Sequence, residues 1–376
     1  MKEIEDREHL VKVARRFDVG GDVSSIVRHA TGHINHTYIV TAGVGRDAER
    51  CILQRINTDV FTDPAALMDN ILQVTGAVSR RVEDRGGDPR RESLTLVMTT
   101  DDDHSHVCDR GGFWRCYRLV EGKTHNAVPT GPSGIDLARS AACAFRRFQR
   151  DIASLDTTGF HEPIRDFHNT PARYRAFEEA LHGDVCKRAG EVIAEIDFCR
   201  ERRDLCDAIT RPLELGEIPQ RLVHNDTKIN NIIFQNGASH SSRKTCVIDL
   251  DTVMPGSVLF DFGDQVRTTV SHAEEDERDL EKVRLEQPLF EALVAGYLSE
   301  AEDFLTDREK GLLVTAGLVI TFETGLRFLT DYLMGDCYFH IIRPGHNLDR
   351  ARTQFCMVEL MEKSKDGLES IVHRYT

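Results

Sequence analysis

The sequence predicts an α+β chain in two lobes, an N-terminal antiparallel-sheet lobe over residues 1–120 and a larger, mainly helical C-terminal lobe over 121–376. Three observations carry this. Short β-branched and aromatic runs separated by turns crowd the first third, whereas apolar residues at helical spacing dominate the rest. At 376 residues with 40% hydrophobic content, the chain can bury more than one core. Within the helical part, one stretch, 224–251, has the alternation of a β-hairpin and a concentration of Asp, Asn and Lys.

After a first helix, 23–30 and 37–41 predict strands around a turn at 31–36, and 50–56 a third strand. Leu67, Ile71, Val74 and Val78 then fall on one face of a helix. The polar stretches 83–92 and 101–106 read as loops flanking a strand at 94–98. Asp101-Asp102-Asp103-His104-Ser105-His106 reads as a solvated hairpin tip rather than a metal tract. A further strand, 113–120, leads through Glu121-Gly122-Lys123 into helical sequence, and that passage is the expected hinge. Beyond it, Ala141, Phe145, Phe148, Ile152 and Leu155 alternate four and three residues apart, marking an amphipathic helix. The segment 312–333 is apolar all round and predicts a central helix, inside which Arg327 is conspicuous. Glu323 and Asp331 stand four residues from it on either side, the spacing of a helix-face ion pair.

The chemistry concentrates in His224-Asn225-Asp226-Thr227-Lys228-Ile229-Asn230-Asn231 and in Cys246-Val247-Ile248-Asp249-Leu250-Asp251. Asn231 enters the apolar run Ile232-Ile233-Phe234, Asp249 leaves the run Val247-Ile248, and Asn236-Gly237 opens the polar stretch between them, a hairpin signal. An antiparallel hairpin sets the residue entering its first strand beside the residue leaving its second. Asn231 and Asp249 thereby become neighbours and offer the hard oxygens that suit Mg2+. Asp251 shares a face with Asp249 by alternation and joins the candidate metal set, a solvated strand end being the alternative. Asp226 lies in the loop just before, free to accept a proton or orient a hydroxyl, and Lys228 is placed to steady a moving phosphate. An isolated Asp or Asn is more often a turn former. The joint spacing is what points to phosphoryl transfer from a metal-bound nucleotide. Asp261-Phe262-Gly263 spells a kinase metal motif, but it lies beyond Pro255-Gly256, outside the hairpin, so Asp261 is expected to anchor the catalytic loop.

A net charge of −14 argues against nucleic acid as a partner, since its phosphates need a basic surface. It does not exclude ATP, because Mg2+ supplies local positive charge. Ten cysteines without a CxxC pair or His/Cys cluster read as reduced, mostly buried thiols of a cytosolic protein. The charged N-terminus lacks the apolar core of a signal peptide, and no run reads as a membrane span. A monomeric cytoplasmic enzyme acting on a small molecule is expected.

The run LVHNDTKINNIIF followed by VIDLDTVMPGSVLFDFGDQVR resembles the aminoglycoside phosphotransferase superfamily, whose members have a protein-kinase-like fold, and within it the N-acetylhexosamine 1-kinases. The resemblance continues in Gly32-His33-Ile34-Asn35-His36-Thr37-Tyr38, Ile52-Leu53-Gln54-Arg55-Ile56-Asn57 and Phe167-His168-Asn169-Thr170-Pro171. It extends to the stretch from Gly325 through Arg327 to Tyr338 and Phe339, so it spans nearly the whole chain. It implies transfer of the terminal phosphate of ATP to a sugar hydroxyl, the anomeric one. Asp226 would orient that hydroxyl, assisted by Lys228, with Mg2+ on Asn231, Asp249 and Asp251. Gly32, His33, Asn35 and Thr37 would cover the nucleotide phosphates, His33 also nearing the sugar, and adenine would bond to backbone near Leu119 and Glu121. Arg327 and Tyr338 would contact the sugar. The third strand offers Gln54 and Arg55 where many kinases place lysine, and Asn169 stands where the nearest relatives carry aspartate. Two alternatives remain: a kinase of aminoglycoside, choline or homoserine type, or a non-catalytic nucleotide-binding module. Loss of Asp226 or Asn231 would favour the latter, and both are present.

Overall fold

The computed structural model describes residues 6–29, 34–45, 48–235, 244–299 and 304–376. Strands β1 (Val23–His29), β2 (His36–Ala42), β3 (Glu49–Ile56), β4 (Val107–Asp109) and β5 (Gly112–Arg118) form one antiparallel sheet in the order β1-β2-β3-β5-β4. Side-chain alternation gives this sheet two different faces. Cys51, Leu53, Trp114 and Cys116 pack beneath Leu10 and Val13 of helix α1 (Arg7–Ala14). On the other face, Ile56, Phe113 and Tyr117 meet Leu67, Ile71, Val74 and Val78 of helix α2 (Pro64–Asp84), together with Leu222, Leu250 and Val253 of the second lobe. Each large apolar side chain so buried contributes roughly 1.5–3 kcal/mol, and this second cluster joins the sheet to the segment that carries Asp249 and Asp251. Asn70, on the same helix, ties the junction with polar bonds: its Nδ2 donates to the carbonyls of His161 and Val253 at 2.9 and 3.1 Å, and its Oδ1 accepts from His161 N at 3.0 Å.

The strand expected at 94–98 does not form a ladder. Outer-edge bonds of β5 are shared between β4 and this run, which keeps only Val97 N to Cys116 O at 2.8 Å and Arg118 N to Thr95 O at 2.9 Å. Two short segments competing for one strand edge leave neither with a long register. The stretch 83–92, expected as loop, also holds the end of α2 and one turn, α3 (Pro89–Glu92).

The chain crosses to the second lobe at Gly122, where a Cβ would stand 2.4 Å from Ile233 Cγ2. Lys123 and Phe234 then exchange backbone bonds at 2.9 and 2.8 Å. Helices α4 (Pro132–Ile152), α5 (Thr170–Gly183), α6 (Ile193–Glu201), α7 (Asp207–Glu214), α8 (Val258–Thr269), α9 (Gln287–Ser299), α10 (Asp307–Gly311), α11 (Leu313–Met334), α12 (His346–Lys363) and α13 (Lys365–His373) build its core. Two small pairs are set among them: β6 (Arg221–Val223) with β9 (Met254–Gly256), and β7 (Ile232–Phe234) with β8 (Thr245–Val247). The proposed hairpin is thus present, while its turn, Asn236-Gly237, lies outside the described residues. At 22 residues α11 is, contrary to expectation, long and apolar enough to cross a membrane, but 78% of its apolar window is buried in the fold, as befits a core helix. Gly263 of α8 lies against it, where a Cβ would come 2.4 Å from the Ala316 carbonyl oxygen. That close approach gives the glycine of Asp261-Phe262-Gly263 a packing role.

Candidate active site

The loop 224–231 runs from β6 to β7, and its backbone is held from beneath by the first turn of α8. Asp261, fully buried, accepts His224 N at 3.0 Å and Asn225 N at 2.7 Å, and Gln149 Nε2 donates to it at 2.6 Å. Asp264 Oδ2 accepts Thr227 N at 2.7 Å. Asn225 has φ 65°, a left-handed conformation that asparagine tolerates better than most residues, and its Nδ2 donates to Thr252 O at 2.9 Å. The expectation that Asp261 anchors this loop therefore describes its bonds. One neutral tautomer of His224, assigned from its partners, serves both ring nitrogens: Nε2 donates to Ile248 O at 2.9 Å and Nδ1 accepts Asp226 N at 3.3 Å.

So held, Asp226 turns its carboxylate to two partners, Lys228 Nζ at 3.1 Å and Asn231 Nδ2 at 3.0 Å. The walls of the site push its carboxyl up, but Lys228, by its charge and its bond, more than offsets this and holds it below the usual carboxylate range. Lys228 is raised in turn, first by Asp226. An ionised but weakly basic carboxylate orients a hydroxyl and takes its proton late rather than early.

The hairpin brings Asn231 to Asp249 as expected: Ile232 pairs with Val247, and Ile248 N donates to Asn231 O at 2.9 Å. Asp249 has φ 62°, a strained conformation of the kind that clusters at functional sites, and among the described residues no donor satisfies its carboxylate. Confinement in the cleft pushes that carboxyl up to about 6, with Asp251 and Asp226 adding like charge. With Nδ2 of Asn231 committed to Asp226, its Oδ1 is left as an acceptor. An open carboxylate in need of a cation beside an amide oxygen fits Mg2+.

Asp251 is placed differently. Both its oxygens are taken by Arg115, Nη1 to Oδ1 at 2.5 Å and Nη2 to Oδ2 at 2.9 Å, and Asn35 Nδ2 adds a bond at 2.7 Å. Arg115 was not singled out from sequence, although a charged residue inside the apolar run of β5 was a signal. Its Nε donates to Gln54 Oε1 at 2.9 Å, and Gln54 Nε2 donates to Thr37 Oγ1 at 3.1 Å. Asn35 Oδ1 also accepts Asn57 N at 3.0 Å. Arg55 departs from its expected place: it pairs in register with Trp114, on the α1 side of the sheet, because alternation turns it away from Gln54. Leu119 spends its N–H on Arg50 O at 2.9 Å, and the Glu121 side chain bonds Arg50 at 3.0 Å, so a ring seated there would meet the Leu119 carbonyl and the Glu121 N–H. Gly32 and His33 lie outside the described residues.

Among the described residues Arg327 makes no ion pair with Glu323 or Asp331, the alternative that its helical spacing offers. Glu323 is taken by His168 Nδ1 at 2.7 Å and Thr170 Oγ1 at 2.6 Å. Asp331 accepts the N–H groups of Cys337, Tyr338 and Phe339 at 3.0, 2.8 and 2.9 Å. The Arg327 guanidinium lies instead between aromatic rings, 5.4 Å from the centroid of Phe167 and 5.5 Å from that of Phe339, a cation–π seat. Tyr338, 62% exposed, has its ring 4.8 Å from that of Phe339. His168 Nε2 reaches Asn225 O at 3.1 Å, linking this wall to the catalytic loop. Asn169 caps α5, accepting Ala172 N at 3.1 Å, a structural use of that position.

A sheet lobe over a helical lobe, with this loop and hairpin at their junction, defines the protein-kinase-like class of phosphotransferases. The chain belongs to the phosphotransferase enzyme family, whose model matches residues 25–302. Three solved structures share the fold. An aminoglycoside phosphotransferase from Alicyclobacillus acidocaldarius is 14% identical over 100% of this chain and 98% of that one, with a TM-score of 0.65. A microcompartment-associated aminopropanol kinase is 18% identical over 97% and 99%, with a TM-score of 0.64. A choline kinase from Cryptosporidium parvum is 13% identical over 98% and 100%, with a TM-score of 0.58.

Proposed function

We propose that this phosphotransferase is an ATP- and Mg2+-dependent kinase of N-acetylhexosamines that phosphorylates the anomeric hydroxyl to give a hexosamine 1-phosphate. The observation that carries the sugar reading is Arg327, seated on the ring faces of Phe167 and Phe339 with no carboxylate bound among the described residues, Phe339 in turn touching the exposed ring of Tyr338. Donors left uncommitted beside aromatic surface suit the hydroxyls and apolar faces of a sugar. Arg173 stands close enough for Arg327 to add to burial in disfavouring its charge. Two guanidinium groups in one wall repel the cationic acceptors that aminoglycoside, choline and aminopropanol kinases would bring.

Asp226 orients the acceptor hydroxyl and takes its proton as the oxygen attacks the terminal phosphate. Lys228 lies 3.1 Å from that carboxylate and neutralises charge on the transferred group. Asn231 and Asp249 would hold Mg2+, which when bound neutralises phosphate charge. Positioning and charge stabilisation supply most of the rate in such a transfer, so no covalent intermediate is required. The test is a screen of ATP consumption with N-acetylglucosamine, N-acetylgalactosamine, galactose, a disaccharide, choline, homoserine and an aminoglycoside, followed by 31P NMR of the product. Phosphorylation at C1 of an N-acetylhexosamine is the expected result. Turnover confined to a cationic acceptor would overturn the reading.

A further inference from the structure

β3 carries no lysine to pair with a glutamate, the ion pair that protein kinases assemble before they transfer phosphate. The structure supplies a different buried pair at the same junction. Arg115 projects from the middle of β5 toward the cleft, and Asp251 comes from the short turn that begins at Asp249. Their side chains are 2% and 5% exposed, and the contact is a two-pronged fork, the strongest geometry open to an arginine and a carboxylate. Neither group stands alone. Gln54 of β3 holds the remaining Nε of Arg115, Thr37 of β2 holds Gln54, and Asn35 spans from Asp251 to the backbone of Asn57. Three strands of the first lobe and the loop before β2 thereby converge on one carboxylate of the second.

A metal ligand needs a free lone pair on the metal's side, and Asp251 spends its oxygens on three donors. Asp249, two residues earlier, spends none of its own on donors among the described residues and holds a left-handed conformation that something must enforce. We propose that Arg115 and Asp251 form the positioning pair that aligns the nucleotide lobe on the metal-binding segment, and that Asp251 thereby sets Asp249 in place instead of ligating the metal itself. The pairing rests on the reading above for Mg2+ and ATP, not for the acceptor.

The two roles for Asp251 give opposite results when charge is removed in stages. Asp251→Asn leaves Arg115 as an unpaired cation beside Asp249, and Mn2+ affinity of the ADP complex, followed by electron paramagnetic resonance, falls about 10- to 100-fold. Adding Arg115→Met removes that cation. For a positioning pair, the double variant recovers Mn2+ affinity to within about threefold of wild type, near the resolution of a double-mutant cycle. Its kcat stays about 10- to 100-fold low because the strut is gone. For a ligand, removing Arg115 cannot restore the lost oxygen, so a double variant as weak as Asp251→Asn overturns the proposal. Either single variant leaves a buried charge unpaired and can fail to fold. Arg115→Lys then takes its place, keeping the charge while losing the fork. It should hold Mn2+ affinity near wild type with kcat lowered about tenfold or more, and a wild-type kcat in that variant also overturns the proposal. Wild-type protein that takes up no Mn2+ overturns both this pairing and the metal reading, whereas wild-type uptake without recovery in the double variant overturns the pairing alone.

Discussion

The loop 224–231 and the wall around Arg327 meet at the bond from His168 to Asn225 O, yet they are held in opposite ways. In the loop, backbone N–H groups at 224, 225 and 227 end on buried carboxylates, and the His224 carbonyl accepts Thr252 Oγ1 at 2.7 Å. In the wall, Arg327 rests on two ring faces and Tyr338 is largely exposed. Directional bonds of 2.6–3.0 Å to Asp261 leave the loop that carries Asp226 little freedom. Ring faces hold a guanidinium without fixing its direction. Directional bonds fix the loop, whereas ring faces leave the seat of Arg327 adjustable.

The comparison breaks first at the base. Asp226→Asn should lower kcat by about 10²- to 10⁴-fold while calorimetric titration with ADP finds nucleotide affinity close to wild type. Near-normal turnover would remove Asp226 from its assigned role. Next, Asp261→Ala should strip His224 N, Asn225 N and Gln149 of their shared acceptor, costing about 3–5 kcal/mol in stability by denaturant titration. A variant that stayed fully stable and lost only metal binding would make Asp261 the metal aspartate instead of Asp249. Arg327→Ala belongs to the adjustable side. It should leave the melting temperature and the KM for ATP nearly unchanged, because no ion pair among the described residues is lost. Acceptor kcat/KM should fall by about 1.5–3 kcal/mol, roughly ten- to a hundredfold. A large drop in melting temperature with normal acceptor kinetics would return Arg327 to a structural role.

The smallest effect is one of pH. Asp249 titrates near 6 in the metal-free fold, above its ordinary range, so the folded state holds this proton more tightly than the unfolded chain. The metal-free fold carries its full electrostatic penalty above about pH 6 and sheds it as pH falls toward the ordinary carboxylate range. Mg2+ competes with that proton. The rise in melting temperature on adding Mg2+ should therefore grow between about pH 5 and about pH 7. A rise independent of pH would place the cation elsewhere.

Where reading the sequence succeeded, it read local chemistry. The apolar runs 232–234 and 247–248, with Asn and Asp at the two open ends, were enough to bring Asn231 to Asp249, because an antiparallel hairpin has a single geometry at its mouth. Asp261 was legible for a related reason: it lies outside that hairpin, and its carboxylate is spent on His224 N, Asn225 N and Gln149. The places where local spacing misleads share a cause as well. Arg327 has ideal helical spacing to Glu323 and Asp331, but those carboxylates had stronger claims from His168, Thr170 and backbone N–H groups of other segments. Intrahelical pairs contribute only about 0.2–0.5 kcal/mol and yield to such competitors. The expected strand at 94–98 yielded likewise to a shared edge of β5.

By itself the sequence determined the two-lobed class and the hairpin that sets Asn231 near Asp249, properties of short stretches whose periodicity dictates their own neighbours. Only the tertiary structure decided that Arg115 answers Asp251, that Gln54 faces the cleft while Arg55 turns away, and that Arg327 is seated on rings. Arg115 and Asp251 are 136 residues apart. No local pattern encodes which of many arginines will meet a given aspartate, because that choice follows from strand order and from which face of the sheet each side chain occupies once both lobes have packed.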